Sequence, residues 1–286
     1  MASNNPVLSR PEAFQRTGAG EQYGQPGYGQ APYAQQYPQP GYGQAPYAPQ
    51  YPQPGYGHPG QTQGLMTIED VITKSGITMG ALIAVASAVF FLMPYALLTP
   101  ALVVTAIVGF VTVLMVSMRR VVSPAAVLAY CVVEGIFIGA LSKMFEYMFQ
   151  PGIVAQAVLG TFVAAGVTLA AYKYFRIRVT NKFRRIVSIA TIGLAVMYLL
   201  NLVVSLFGVG TGLVAVGPTA GILSWLVSGV AVVLAVSSLI MDFDYIERGV
   251  ANGAPASESW RAAFGLTVTM VWLYTELLRI LSYFRN

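Results

Sequence analysis

The chain has 286 residues, of which 56% are hydrophobic and only 9% charged, where a soluble domain carries roughly 25% charged residues. The deficit is concentrated after residue 75 and excludes an ordinary soluble globular protein, because apolar runs there reach the ~20 residues that span ~30 Å of hydrocarbon. The net charge of +5 lies mainly in loops between those runs, where it orients helices and gives no reason to expect nucleic acid.

Residues 1–64 are polar, so no cleavable signal peptide is expected and the first span is read as its own insertion signal. From residue 23 the chain repeats: YGQPGYGQAPYAQQ, then YPQPGYGQAPYAPQ, then a decaying YPQPGYGHPGQTQG. Proline blocks helix and ladder formation, and glycine and glutamine offer little surface to bury, so a disordered tail is expected over 1–64. Its spaced tyrosines suit weak multivalent contacts, but the composition fits a flexible extension without a specific ligand better. His58 lies in this tail and is the only histidine. Cys131 is the only cysteine, so an intrachain disulfide is excluded.

The membrane domain is expected over 65–286. LMTIEDVITKS, residues 65–75, is amphipathic, with Thr67 and Asp70 marking a helix start, and reads as an interfacial helix. Seven spans follow at about 76–93, 101–118, 124–148, 152–172, 186–207, 219–243 and 260–284. Pro94 and Pro100 punctuate the first turn, Pro124 opens the third span and Pro218 precedes the sixth. Arg119 and Arg120 follow the second span, six Lys or Arg residues from Lys173 to Arg185 follow the fourth, and Arg248 and Arg261 flank the loop after the sixth. The alternate loops near 94–100, 149–152 and 208–218 have no Lys or Arg. Lys/Arg-rich short loops stay cytoplasmic, so the N-terminus is expected inside and the C-terminus outside.

Glu134, Asp242, Glu276 and Arg279 remain within apolar sequence. Each costs ~2.5–3.5 kcal/mol at a helix centre on insertion scales, so such groups face a bundle interior or a cavity. Glu134 falls ~15 Å beyond Pro124 and opens EGIFIG, whose Gly135 and Gly139 form a small-xxx-small face. It is either a protonated carboxyl bonded across the bundle or a functional acid. Lys143 and Glu146, three apart, read as a boundary ion pair. Asp244, Glu247 and Arg248 share one helical face and read as a solvated end. Asp242 points ~200° away from Asp244, toward lipid or toward the bundle. Glu276 and Arg279 share a face of the last span, as an intrahelical pair with Arg279 reaching outward. No HExxH, GxSxG, phosphate loop or His/Cys cluster is present, so neither an enzyme nor a bound cofactor or metal is expected. A paired-aspartate intramembrane protease would need a partner for Asp242, and a glutamate in that place weakens the reading.

At EGIFIGALSKMFE, LIMDFDYIERG and VWLYTELLRIL the chain resembles the Bax inhibitor-1/YccA-like family, as a bacterial-type member with an added N-terminal extension. The likeness covers about 65–286. It implies an all-α bundle of seven transmembrane helices with the last helix central, in a bacterial plasma membrane. It further implies a calcium leak gated by protonation of paired carboxylates on the sixth and seventh helices. Asp242 matches the sixth-helix pattern, and Glu276 in LYTE stands where that family has aspartate. Aligning by the Leu-Arg terminus instead puts Thr269 opposite the expected acid. The loop GVANGAPASESW looks longer than usual for the family.

The function expected is therefore a pH-responsive cation leak, with calcium as the permeant. Asp242, Glu276 and Glu134 form the pH-sensing pathway, and Arg279 serves as latch or anchor. Two carboxylates sharing a low-dielectric site would titrate as a unit. The alternative is a non-conducting protein that regulates a membrane protease or stress complex through its tail; a proton-coupled transporter is a third possibility.

Overall fold

The computed structural model describes residues 64–285, so expectations for the repeat tail fall outside the described residues. Seven helices follow in order: α1 (Ile68–Leu92), α2 (Leu98–Ser117), α3 (Pro124–Met148), α4 (Ile153–Tyr174), α5 (Asn181–Leu206), α6 (Ile222–Ala251) and α7 (Glu258–Tyr283). All seven are long and apolar enough to cross a membrane. Among the described residues the other regular features are a 3-10 turn at Tyr95–Leu97 and one antiparallel bridge, Leu65 to Pro255.

Helix starts follow from short polar side chains that satisfy otherwise unpaired amides. Thr67 accepts from the Asp70 N–H, Ser123 from Ala126 and Thr180 from Phe183. Pro124 occupies the first turn of α3, where no intrahelical donor is lost. The interfacial helix expected over 65–75 does not exist as a separate element. Those residues from Ile68 onward are the first turns of α1, which runs unbroken to Leu92. Lys74 explains why this polar segment docks on the bundle. Its ammonium pairs with Asp70 at 2.6 Å, donates to the Ala256 carbonyl at 3.1 Å and lies over the Trp260 ring. The far end of α6 departs from expectation in the same sense. It continues beyond residue 243 to Ala251, so the apparently long loop reduces to 252–257.

The central position of α7 follows from its polar spine. It packs on α1, α3, α4 and α6, and hydroxyl pairs fasten it to three of them. Thr78 of α1 meets Thr267 at 2.9 Å, Ser142 of α3 meets Tyr274 at 2.6 Å, and Ser228 of α6 meets Tyr283 at 2.8 Å. In hydrocarbon such groups must find partners within the bundle, and each pair contributes on average ~0.6 kcal/mol. The α1–α3 crossing uses the small face in EGIFIG. A Cβ on Gly135 would sit 2.8 Å from the Val85 Cβ, and one on Gly139 would sit 2.8 Å from the Val89 Cβ. These glycines let the two backbones approach closely.

Lys143 and Glu146 do not form the boundary ion pair expected of them. Lys143 donates to the Met93 carbonyl at 2.7 Å, closing the C-terminus of α1. Glu146 accepts from the Gly152 and Val154 amides at 2.5 and 3.2 Å, capping the N-terminus of α4. Gly152 has φ +94° and no capping side chain of its own. A cation at a helix C-terminus and an anion at a helix N-terminus each complement the macrodipole, which outweighs the i, i+3 attraction between them.

Candidate functional site

The four ionisable groups left in the spans occupy three separate places. Asp242 is turned inward, toward α7. Thr269 donates to its Oδ2 at 2.7 Å, and its Oδ1 lies 3.4 Å from the position a Cβ on Gly265 would take. The carboxylate therefore spans one turn of α7, between Gly265 and Thr269. Thr269 is its one hydrogen-bond partner among the described residues, and no cation pairs with it there.

Glu276 lies about 10 Å farther along α7, seven residues beyond Thr269. It is 3% exposed and Arg279 6% exposed, and the two form a salt bridge one turn apart on the helix. Tyr198 of α5 completes the cluster. Its hydroxyl donates to Glu276 Oε1 at 2.8 Å and accepts from Arg279 Nη2 at 2.6 Å. Arg279 does not reach outward as expected; its guanidinium is buried, lies over the Tyr198 ring and leaves Nε without a partner among the described residues. The charge of the buried guanidinium is met inside the bundle, by Glu276 and the Tyr198 hydroxyl. The structure thus brings Glu276 to Arg279 and Tyr198, and Asp242 to Thr269. It does not bring the two acids together.

Glu134 sits at the α2–α3 contact, half-buried. Its Oε2 lies 3.0 Å from where a Cβ on Gly109 would stand, so the missing side chain at Gly109 makes room for the carboxyl. It has no salt-bridge or hydrogen-bond partner among the described residues. Counting along the helices, Glu134 stands ~15 Å from the start of α3, and Asp242 stands ~14 Å from the end of α6. These two helix ends lie at the same side of the bundle, where Arg261 at the start of α7 donates to the Arg119 and Arg120 carbonyls. Asp242 and Glu134 therefore share a depth on different faces, and Glu276 belongs to a deeper layer.

Asp244 corrects the expectation of a solvated end. It is 5% exposed and accepts from two arginines, Arg184 of α5 at 2.7 Å and Arg248 of α6 at 2.9 Å. Arg248 also donates to the Val179 carbonyl, and Tyr172 of α4 donates to Glu247 at 2.5 Å. Here the end of α6 is the post to which the α4–α5 connection is tied. The i, i+4 pairing of Asp244 with Arg248 was legible in the sequence, but the contribution of Arg184, sixty residues away, was not. Thr269 and Tyr198 were equally hard to anticipate as site residues, since neither carries charge; only the alignment by the Leu-Arg terminus singled out Thr269.

Among the described residues, no three His, Cys, Asp or Glu side chains converge. Any cation drawn to Asp242 or Glu134 would complete its shell with carbonyl or water oxygens, as calcium commonly does. A family model described as Bax inhibitor 1 like matches residues 5–286, which includes all of the repeat segment and extends the likeness beyond residues 65–286. No curated protein matches the chain.

Proposed function

The chain belongs to the Bax inhibitor 1 like family, and from that premise we propose that it is a pH-responsive cation leak, with calcium as the permeant ion. What carries this is Asp242, an acid within the bundle that is bonded to a neutral hydroxyl and has no cationic partner among the described residues. Its charge is free to change with pH, and when ionised it is a place where a passing cation can be held. Protonation removes that charge and with it the attraction, which biases a bundle able to adopt two arrangements. Glu134, also without a partner among the described residues, is the second acid of the pathway. Glu276 is already neutralised by Arg279, so we assign the pair an anchoring role, holding α5 to α7 through Tyr198. No catalytic step enters this account.

We place the protein in the plasma membrane with the N-terminus cytoplasmic and the C-terminus outside. The support is the Lys/Arg excess at the α2–α3, α4–α5 and α6–α7 connections together with seven helices long and apolar enough to cross a membrane. The full chain, purified into calcium-loaded liposomes, should release calcium at a rate that varies with pH. Release no faster than from protein-free liposomes at every pH would overturn the proposal.

A further inference from the structure

We infer that the face between α1 and α4 is a phospholipid-binding slot, taking one acyl chain and seating the phosphate against Lys143. This does not depend on the proposed cation leak. α1 and α4 both pack on α7 but form no extended contact with each other. The gap between them is an apolar cavity of about 390 Å³. Its floor is the hydrogen-bonded pair Ser142 and Tyr274, and its walls include Ile83 on α1 and Val158 and Phe162 on α4. Those three wall residues are exposed, so the slot opens sideways, to the bilayer. On α1 it extends from Met79 to Phe91. That is ~18 Å of helix, close to the ~15 Å that one leaflet contributes to the hydrocarbon core.

The chemistry at the mouth is what selects an amphiphile over a bare hydrocarbon. A second cavity of about 440 Å³ adjoins the slot, sharing Phe90, Phe91 and Glu146 with it, and is lined in addition by Lys143, Tyr95 and Gln150. Lys143 spends one N–H on the Met93 carbonyl, and an ammonium has three, which leaves donors for a phosphate. The nearby acid does not cancel this charge. Both oxygens of Glu146 are engaged by the Gly152 and Val154 amides, where the positive end of α4 offsets its charge. Arg285 adds a second cation at this rim, donating to the Gln150 and Pro151 carbonyls. An apolar slot one leaflet deep, ending in a basic mouth, is complementary to a phospholipid in both its parts.

The test uses the full chain in phosphatidylglycerol vesicles containing a phosphatidylglycerol with a diazirine on one acyl chain. After illumination, peptide mass spectrometry locates the label. Ile83, Val158 and Phe162 are expected to be labelled several-fold above Ile189 and Ile192 of α5, although those two are the more exposed. Ser87→Phe, which fills the slot from an exposed wall position, should reduce slot labelling to the α5 level. Ala155→Phe does so from the opposite wall if the first variant fails to fold. Lys143→Gln should lower slot labelling several-fold while leaving α5 labelling unchanged. Equal labelling of the slot and α5, or slot labelling untouched by both filling variants, would overturn the site. Labelling insensitive to Lys143→Gln would overturn the seating of the phosphate. Slot labelling by a diazirine-bearing oleic acid in the same vesicles that equals that by the labelled phosphatidylglycerol would overturn phospholipid as the occupant.

Discussion

An arginine beside a carboxylate fixes its charge, whereas a hydroxyl leaves the carboxylate free to exchange a proton. Asp242 and Glu276 present this contrast within one bundle. Asp242 has Thr269; Glu276 has Arg279 and Tyr198. Removing one member of the buried pair strands the other, at a cost of about 3–5 kcal/mol. Arg279→Met is therefore expected to lower the thermal midpoint in detergent sharply. The double variant Glu276→Leu/Arg279→Met should recover most of the loss, because an apolar replacement of a buried pair is often near neutral. A double variant as unstable as the single one would show that Tyr198, left without either partner, dominates the cost. At Asp244 the same logic works at the bundle end. Arg184→Gln removes one of two cations from a carboxylate that retains Arg248, so a smaller loss, of ~1–2 kcal/mol, is expected in a thermal melt.

At the scale of elements, close helix contact rests on positions without side chains. Gly139→Val would drive a branched side chain into α1 at Ala86 and Val89, at a cost of ~1–3 kcal/mol for overpacking. On α4, a Cβ added at Gly166 meets no heavy atom within 4 Å, so Gly166→Val should leave the melting temperature nearly unchanged; equal losses in the two variants would remove close packing as the reason for Gly139. Helix identity, order and most boundaries were legible in the sequence, because a long apolar run punctuated by proline has few alternatives in a membrane. α3 has the limits its sequence predicts for that reason, with Pro124 in its first turn. What was not legible came from tertiary partners. Nothing local to residues 65–75 says that Lys74 reaches the Ala256 carbonyl, so an amphipathic stretch read as interfacial when it is the start of α1. Lys143 and Glu146 were spaced for each other, yet helix ends brought near by the fold gave each a better partner.

Over the whole molecule, α7 is the axis to which α1, α3, α5 and α6 are tied by polar side chains. The sequence alone predicted its central place by family resemblance, while the pairing of its acids depended on which face each neighbour presents, and no single-helix pattern encodes that. Helical geometry points Asp242 away from Asp244, toward lipid or toward the bundle, and both that choice and whether its partner is an acid or a hydroxyl rest on the neighbouring helix. The proposed orientation across the membrane rests on where Lys and Arg accumulate. A periplasm-active reporter inserted within 208–218 should be active, and one inserted in the α4–α5 connection should be silent; the reverse pattern would invert the topology. The central claim, that Asp242 is the group through which pH acts, is tested most directly by calcium flux through Asp242→Asn in liposomes across the same pH range as the unaltered chain. The amide cannot ionise, so the account predicts a flux that has lost most of its change with pH, with Glu134 the one titratable acid of the pathway that remains. A variant whose flux and pH profile match those of the unaltered chain would contradict it.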